Sequence, residues 1–214
     1  MGAAFAVALA ILIALVGPLA LFNPPFVSAL QERHGVAAAF GTSRSEVDRV
    51  TSEILVDLFV DGEFDAAFAG EPSLLDARER SHMHDVARLV RILVLVVAAA
   101  ALVAIGTAWR LRREPARRGR LMMAAAASIG IAAAALALIF AVAFEPAFLA
   151  FHAIFFPPGS FLFEPGSNLI TLFPEAFWFE ASLAAGLSII LSAIVVGALG
   201  SWSVRRHPTT SEEA

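Results

Sequence analysis

The chain has 214 residues, a formal net charge of −4 and a hydrophobic share of 59%, and its mean hydropathy is +0.78. Soluble domains have an apolar share of about 45–50%, so this composition predicts an integral membrane protein. The absence of Cys excludes disulfides and thiolate sites. All 15 basic residues are Arg, and without Lys there is no amine for Schiff-base chemistry. Because Tyr is also absent, the five histidines are the main groups that can move protons near neutral pH.

Four uncharged stretches are long enough to cross a bilayer, which takes about 20 apolar residues in a helix. We predict an all-α integral membrane protein, one membrane domain over 1-214, with transmembrane helices at about 3-22, 89-109, 121-144 and 181-202. The first stretch could instead be a cleaved signal peptide. It lacks a positive n-region and is longer than a typical h-region, so we expect it to be retained.

The Arg residues are divided unevenly among the connecting segments. Six lie in the short link 110-120, and two more begin the C-terminal tail 203-214. Loop 23-88 has 12 acidic residues against six Arg, and loop 145-180 has four acidic residues and no Arg. The positive-inside rule therefore places the link and both termini in the cytoplasm and both loops on the extracytoplasmic side of the membrane. A lipid headgroup site is a second interpretation of the Arg cluster, and the sequence favours the topological one.

The first outer loop contains signals for two helices. Ser45 with Asp48 resembles a capping box, and four apolar side chains then share one helical face: Val47, Val50, Ile54 and Leu58. This pattern predicts an amphipathic helix. Ser73 with Asp76 repeats the capping signal, and a helix can continue from there into the second span.

The second outer loop holds half of the 18 Phe residues of the chain. Turns are predicted at 157-159 and 164-166, so we expect short interfacial helices or re-entrant segments. Two interpretations of the aromatic residues stay open. They form either an aromatic belt or an acyl-chain groove, whose candidate residues are Phe151, Phe155, Phe156, Phe161 and Trp178.

The richest polar cluster is E-R-S-H-M-H-D-V, residues 79-86, before the second span. On a helix, His82 shares a face with Arg78, Glu79 and Asp85, whereas His84 lies on the opposite, solvated side. Glu79 and Asp85 are placed to accept a hydrogen bond from one ring nitrogen of His82. The other nitrogen would then be free as a base.

His152 is the only titratable residue in the apolar stretch 147-156. A buried imidazole needs a polar partner, and the predicted topology brings His152 and His82 to the same outer depth. We therefore expect the two histidines to meet, while His34 and His207 look incidental. These side chains could also hold a metal ion, but no His pair has the spacing of one helical face.

The two histidine motifs resemble a family of bacterial membrane proteins, the lipoprotein intramolecular transacylases. The resemblance covers four spans, E-x-x-H-M-x-D-V at 79-86, F-H-x-x-F-F at 151-156 and L-F-P at 172-174. It implies transfer of an acyl chain from the glyceryl moiety of a lipoprotein to the α-amino group of its lipidated Cys, giving the lyso form. His82 and His152 would be the catalytic residues. Phe161 and Asn168 depart from the Trp and Asp that are usual in the family.

We predict a cofactor-free and metal-free acyltransferase whose partners are a diacylated lipoprotein and membrane lipid, with no nucleic acid. Its site would face the extracytoplasmic side. Arg78 and Asn168 are candidates for stabilising the oxyanion. Two alternatives stay open: a non-catalytic membrane subunit and a metal-binding four-helix membrane protein.

Overall fold

The computed structural model describes residues 1–60 and 62–207, and this part of the chain is helical, with no strand. Asp61 and residues 208–214 of the predicted tail lie outside the described residues. The helices follow one another as α1 (Gly2–Ala20), α2 (Pro24–Arg33), α3 (Val36–Phe40), α4 (Arg44–Asp57), α5 (Ala77–Arg110), α6 (Pro115–Val142), α7 (Phe144–Phe155), α8 (Asn168–Leu172) and α9 (Glu175–Arg206).

Four of these helices, α1, α5, α6 and α9, are long and apolar enough to cross a membrane. The prediction of an all-α protein with four membrane-spanning helices is therefore confirmed. Three of them begin before their apolar stretches, since α5, α6 and α9 start at Ala77, Pro115 and Glu175. At 1.5 Å per residue α5 is about 51 Å long, well beyond a hydrocarbon core of about 30 Å. Charged residues can thus continue a helix past the apolar boundary.

Contacts divide the chain into two compact units. The first contains Met1–Leu19, Val94–Leu138 and the described part of Ala184–Ala214, and the second contains Ala20–Leu93 and Ile139–Leu183. Both candidate histidines belong to the second unit, whereas most of the apolar helical length belongs to the first.

Small residues allow close packing of α6 and α9 in the first unit. A methyl carbon added at Gly200 would lie 2.7 Å from the carbonyl oxygen of Gly119. Ser203 Oγ also donates a hydrogen bond of 3.0 Å to the Pro115 carbonyl. Small residues and interhelical hydrogen bonds are the usual means by which membrane helices associate.

The second unit has an extensive hydrophobic core to which α4 contributes one face. The four apolar residues predicted for that face are all buried: Val47, Val50, Ile54 and Leu58. The predicted capping residue is wrong by two positions. Ser43, not Ser45, caps α4, because its Oγ accepts from the N–H of Glu46 at 3.2 Å.

The start of α5 is fixed by a reciprocal capping box between Asp76 and Glu79. Asp76 Oδ1 accepts from the N–H of Glu79 at 2.8 Å, and Glu79 Oε2 accepts from the N–H of Asp76 at 2.8 Å. The predicted pairing of Ser73 with Asp76 is therefore shifted by three residues. From this cap α5 runs without interruption through the candidate site and into the second apolar stretch, as predicted.

The aromatic segment between α6 and α9 forms two short helices joined by turns. With 12 residues, α7 is about 18 Å long, too short to cross a bilayer alone. Gly159 and Gly166 have φ values of 80° and 88°, a region that glycine adopts without strain. These two residues confirm the predicted turns and reverse the chain between α7 and α8.

Candidate active site

The structure brings His82 of α5 and His152 of α7 together in the second unit. Their rings are stacked, with centroids 6.0 Å apart and planes inclined by 27°. Helix α5 turns His82 toward the interior, where the residue is only 6% exposed, and His152 is half-buried. Two imidazoles at this separation can both reach one bound reacting group.

A hydrogen bond determines the tautomer of His152. Its Nδ1 lies 2.8 Å from the carbonyl oxygen of Phe148, one helical turn earlier. Since a carbonyl can only accept, Nδ1 must carry the proton, and Nε2 of the neutral ring keeps its lone pair. His152 is thus prepared to act as a base through Nε2.

Aromatic side chains enclose the ring of His152. Its nearest ring neighbours are Phe148 at 4.1 Å and Phe161 at 5.3 Å between centroids. Burial lowers the pKa of His152 from its ordinary value of 6.5, and the hydrogen bond to the Phe148 carbonyl opposes this shift. A larger fraction of the ring is therefore neutral, and able to accept a proton, than in an exposed histidine at the same pH.

His82 has an apolar environment and no hydrogen bond within the described residues. Phe156 and Phe163 contact its ring with centroid distances of 4.9 and 5.5 Å, both edge-on. Its Nδ1 is buried without a partner. A buried nitrogen without a partner is costly, and a bound polar ligand could remove that cost.

The predicted hydrogen bonds from His82 to Glu79 and Asp85 are wrong. Glu79 is buried and binds backbone N–H groups instead, that of Asp76 in the capping box and that of Leu169 at 2.7 Å. Asp85 pairs with Arg88 at 3.0 Å. Glu79 therefore holds the start of α5 to the first turn of α8, while its oxygens are not available to His82.

Arg78 and Asn168, predicted as oxyanion donors, both bind backbone carbonyls. Arg78 donates to the carbonyl of Leu162 at 3.2 Å, and Asn168 Nδ2 donates to the carbonyl of Leu74 at 2.6 Å. Each contact connects the aromatic segment to residues at or just before α5. The observed role of both side chains is to hold this segment in place.

A cleft of about 360 Å³ lies beside the histidine pair, between α5 and the end of α7. Its apolar lining is Leu89, Ile92, Ile154, Phe155, Phe156 and Pro157, and its polar lining is the Asp85–Arg88 pair. Phe156 joins the cleft to the histidines, because it also contacts His82. An apolar cleft with one polar end suits a molecule with an acyl chain and a polar head.

The predicted groove residues separate into three groups. Phe155 and Phe156 line the cleft. Phe151 and Phe161 contact the ring of His152 instead, and Trp178 packs on Phe148 and the core of the second unit. Leu89 and Ile92 also line the cleft and were not among the predicted groove residues, although Asp85, Leu89 and Ile92 follow one helical face.

Two of the other histidines, His84 and His34, make local contacts. His84 does not lie on a fully solvated face, since its half-buried ring packs edge-on against the buried ring of Phe64 at 5.1 Å. His34 Nε2 lies 3.2 Å from Glu180. Among residues 1–60 and 62–207, no group of three or more acidic or histidine side chains is placed to hold a metal ion.

Comparison with known proteins agrees with the fold and identifies the family. The family model of the lipoprotein intramolecular transacylase Lit matches residues 2–178, and no curated protein matches the chain. The structure of membrane-integral Lit from Bacillus cereus is similar, with a TM-score of 0.85 and 18% identity over 96% of this chain and 94% of that one. Two variants of that protein, in which one histidine is replaced, are also similar, each at 18% identity. The variant with Arg has a TM-score of 0.78 over 96% of this chain and 91% of that one. The variant with Ala has a TM-score of 0.79 over 96% of this chain and 92% of that one. The family match covers most of the sequence, so this chain belongs to the lipoprotein intramolecular transacylase family and is an acyltransferase of lipoproteins.

Proposed function

We propose that the enzyme moves an acyl chain from the glyceryl moiety of a diacylated lipoprotein to the α-amino group of the same molecule's N-terminal lipidated Cys. The product is the lyso form, with an amide at the N-terminus and a free hydroxyl on the glyceryl moiety. The observation that carries this proposal is the stacked pair of His82 and His152 beside an apolar cleft.

We assign the role of general base to His152. The α-amino group has a pKa of about 8, and it attacks the ester carbonyl only in its neutral form. As the C–N bond forms, the nitrogen must lose a further proton, which Nε2 of His152 can accept. The hydrogen bond from Nδ1 to the Phe148 carbonyl supports this role, because it orients the ring and leaves Nε2 free.

We assign to His82 the role of stabilising the glyceryl oxygen, which is the leaving group. When the tetrahedral intermediate collapses, the C–O bond breaks and the leaving oxygen takes up one proton, which balances the proton lost by the nitrogen. A ring N–H of His82 can donate a hydrogen bond to this oxygen and stabilise its developing charge. The absence of a hydrogen-bond partner within the described residues leaves His82 available for this contact.

An enzyme nucleophile is not needed for this reaction. The amine is tethered to the ester that it attacks, and well-oriented intramolecular reactions reach effective molarities of about 10⁵–10⁸ M. The enzyme contributes orientation, exclusion of water and proton transfer. The chain has no Cys, which is consistent with direct transfer rather than a thioester intermediate.

The cleft would hold an acyl chain against Leu89, Ile92 and Ile154. Its polar end carries the carboxylate of Asp85, which can attract the α-ammonium group of the substrate before proton removal. In this arrangement the lipoprotein enters with its charged end at Asp85, while its acyl chain follows α5 toward the bilayer.

The proposed location is the outer leaflet of the bacterial cytoplasmic membrane, with both termini in the cytoplasm. The distribution of Arg supports this orientation, since six of 15 Arg lie in the link 110-120 and none in the loop 145-180.

Two differently labelled lipopeptides test the reaction. Substrate and product are isomers of equal mass, so the product is recognised by loss of the reactive amine and by fragmentation. Purified enzyme is mixed with two diacyl lipopeptides, one of which carries heavy isotopes in both the peptide and the acyl chains. The proposal expects only fully heavy and fully light N-acyl products. Products that combine a heavy peptide with a light acyl chain would show intermolecular transfer and contradict it.

A further inference from the structure

A basic cleft lies in the first unit, where α5 ends and α6 begins. Its volume is about 420 Å³, and its charged and aromatic lining consists of Trp109, Arg110, Arg112, Arg113, Glu114 and Arg117. Four Arg side chains against one Glu leave an excess of three positive charges in one concave surface. Neither of the proposed catalytic histidines lines this cleft, and the proposed acyl transfer does not involve it.

Two of the four Arg side chains are already engaged. Arg117 pairs with Glu114 at 2.8 Å, and Arg112 donates to the carbonyl of Trp109 at 2.9 Å. Arg110 and Arg113 form no hydrogen bond or ion pair within residues 1–60 and 62–207, and both are exposed. Like charges in one cleft repel each other, so a bound anion would relieve this repulsion and use the free donors.

Trp109 indicates the depth of the cleft in the membrane. It ends the second apolar stretch, its ring is exposed, and the guanidinium of Arg112 lies 4.0 Å from the ring centroid. Exposed Trp at the end of an apolar helix is typical of the membrane–water interface. The cleft would therefore lie at the level of the lipid headgroups, where phosphate groups are the most abundant anions.

We propose that this cleft binds the phosphate of an anionic membrane lipid, with Arg110 and Arg113 as its ligands. Guanidinium groups match phosphate oxygens in charge and geometry and bind them by paired hydrogen bonds. This goes beyond the general effect of positive charge on topology, which depends on the number of basic residues near the ends of the spans and not on which of them line a cleft. If this cleft is the binding site, only the Arg side chains that line it should contribute to lipid binding.

Matched double variants of the full-length protein test this proposal. Arg110→Gln/Arg113→Gln removes two charges from the cleft. Arg118→Gln/Arg120→Gln removes two charges from the same link, at residues that do not line the cleft. Native mass spectrometry in detergent measures retained phosphatidylglycerol and phosphatidylcholine, and a thermal shift on lipid addition gives the affinity. We expect the first variant to bind phosphatidylglycerol at least about tenfold more weakly than wild type, and the second to bind it like wild type.

Three results would overturn the proposal. These are equal losses in the two double variants, equal binding of phosphatidylglycerol and phosphatidylcholine, and displacement of the lipid by an equal concentration of inorganic phosphate, which would indicate a site for the free ion. Acyl transfer in detergent is measured for both variants and should match wild type, which checks that they fold. The Arg113→Gln single variant is measured alongside and should show a smaller loss in the same direction.

Discussion

At the scale of single residues, the polar side chains of the site fall into two sets with different functions. His152 is oriented by its hydrogen bond to the Phe148 carbonyl, while His82 lies among Phe rings without one. Glu79, Arg78 and Asn168 bind backbone groups around them. The two imidazoles are thus the groups left for chemistry, and the other polar side chains hold the surrounding segments in place.

The pH dependence of the rate should report the burial of His152. Because burial lowers its pKa, a smaller fraction of His152 is protonated below pH 6.5 than in an exposed histidine. Phe161→Ala hydrates the ring and moves the pKa back toward 6.5. The rate of this variant, divided by the wild-type rate at each pH, should therefore fall as the pH decreases from 8 to 6. The substrate amine affects both enzymes equally and cancels.

Phe155→Ala is the matched control for this measurement. Phe155 lies on α7, as His152 does, and lines the cleft, but it makes no ring contact with either histidine among those observed. Its rate relative to wild type should not vary with pH. A flat ratio for Phe161→Ala as well would contradict the assignment of His152 as the base.

Glu79→Gln should destabilise the protein while keeping the size of the side chain. The buried carboxylate accepts from the N–H groups of Asp76 and Leu169 through its two oxygens. An amide offers one oxygen and places an NH₂ group against the second N–H. We expect a loss of about 1–3 kcal/mol, seen as a lower unfolding temperature in detergent. Glu53→Gln is the control, because Glu53 forms an exposed pair with Arg49 worth at most about 1 kcal/mol. Equal unfolding temperatures for the two variants would contradict the role of Glu79.

The sequence could predict which histidine faces the interior and offered a local cap partner for Glu79, but it could not predict that Glu79 also binds the N–H of Leu169. Helical periodicity depends only on neighbouring residues in the chain, and it correctly predicted that His82 faces the interior. This second partner, the N–H of Leu169, is 90 residues away along the chain. Only the folded aromatic segment brings it near, whereas periodicity along one helix can indicate only partners a few residues away, such as His82.

At the scale of elements, helix boundaries depend on caps and close contacts rather than on hydrophobicity alone. Hydropathy located all four long helices, yet α9 begins six residues before the predicted start at 181. The capping box of Asp76 and Glu79 was available in the sequence and was misread in favour of Ser73. The positions of α7 and α8 could not be predicted, because aromatic composition carries no clear period.

Gly200→Ala should disrupt the packing of α6 against α9. The added methyl carbon would lie 2.7 Å from the carbonyl oxygen of Gly119, so the two backbones must separate. Gly106→Ala is the matched control, since an added methyl group there has no neighbour within 4 Å. Alanine also favours a helix over glycine by about 1 kcal/mol. We expect thermal unfolding in detergent to occur at a lower temperature for Gly200→Ala and at an unchanged or higher temperature for Gly106→Ala. The reverse order would contradict the close contact.

At the scale of the whole molecule, the family and the reaction class were predicted from two short motifs in a four-span pattern. The spacing and the residue types indicated a membrane protein with an interfacial histidine pair, and only the resemblance named the reaction. The family match over residues 2–178 confirms that interpretation. The catalytic roles of individual residues and the orientation in the membrane stay predictions.

Cysteine labelling tests the proposed orientation, and the chain suits it because it has no Cys of its own. Glu164→Cys lies in the aromatic segment and Glu114→Cys in the Arg-rich link, and both positions are exposed. In intact cells a membrane-impermeant maleimide should label Glu164→Cys at once and Glu114→Cys only after permeabilisation. The opposite pattern would place the histidine site in the cytoplasm.

The central claim is that His82 and His152 together carry out acyl transfer. It is tested most directly by tandem mass spectrometry of lipoprotein N-termini from a host that lacks other N-acylation and expresses each variant. Wild type should give N-acyl lyso lipoproteins. So should His207→Ala, which alters an exposed histidine just after the end of α9. His82→Ala and His152→Ala should leave the lipoproteins diacylated with a free amine, at normal enzyme levels in the membrane. Lyso product at the wild-type level in either of these two variants would contradict the account.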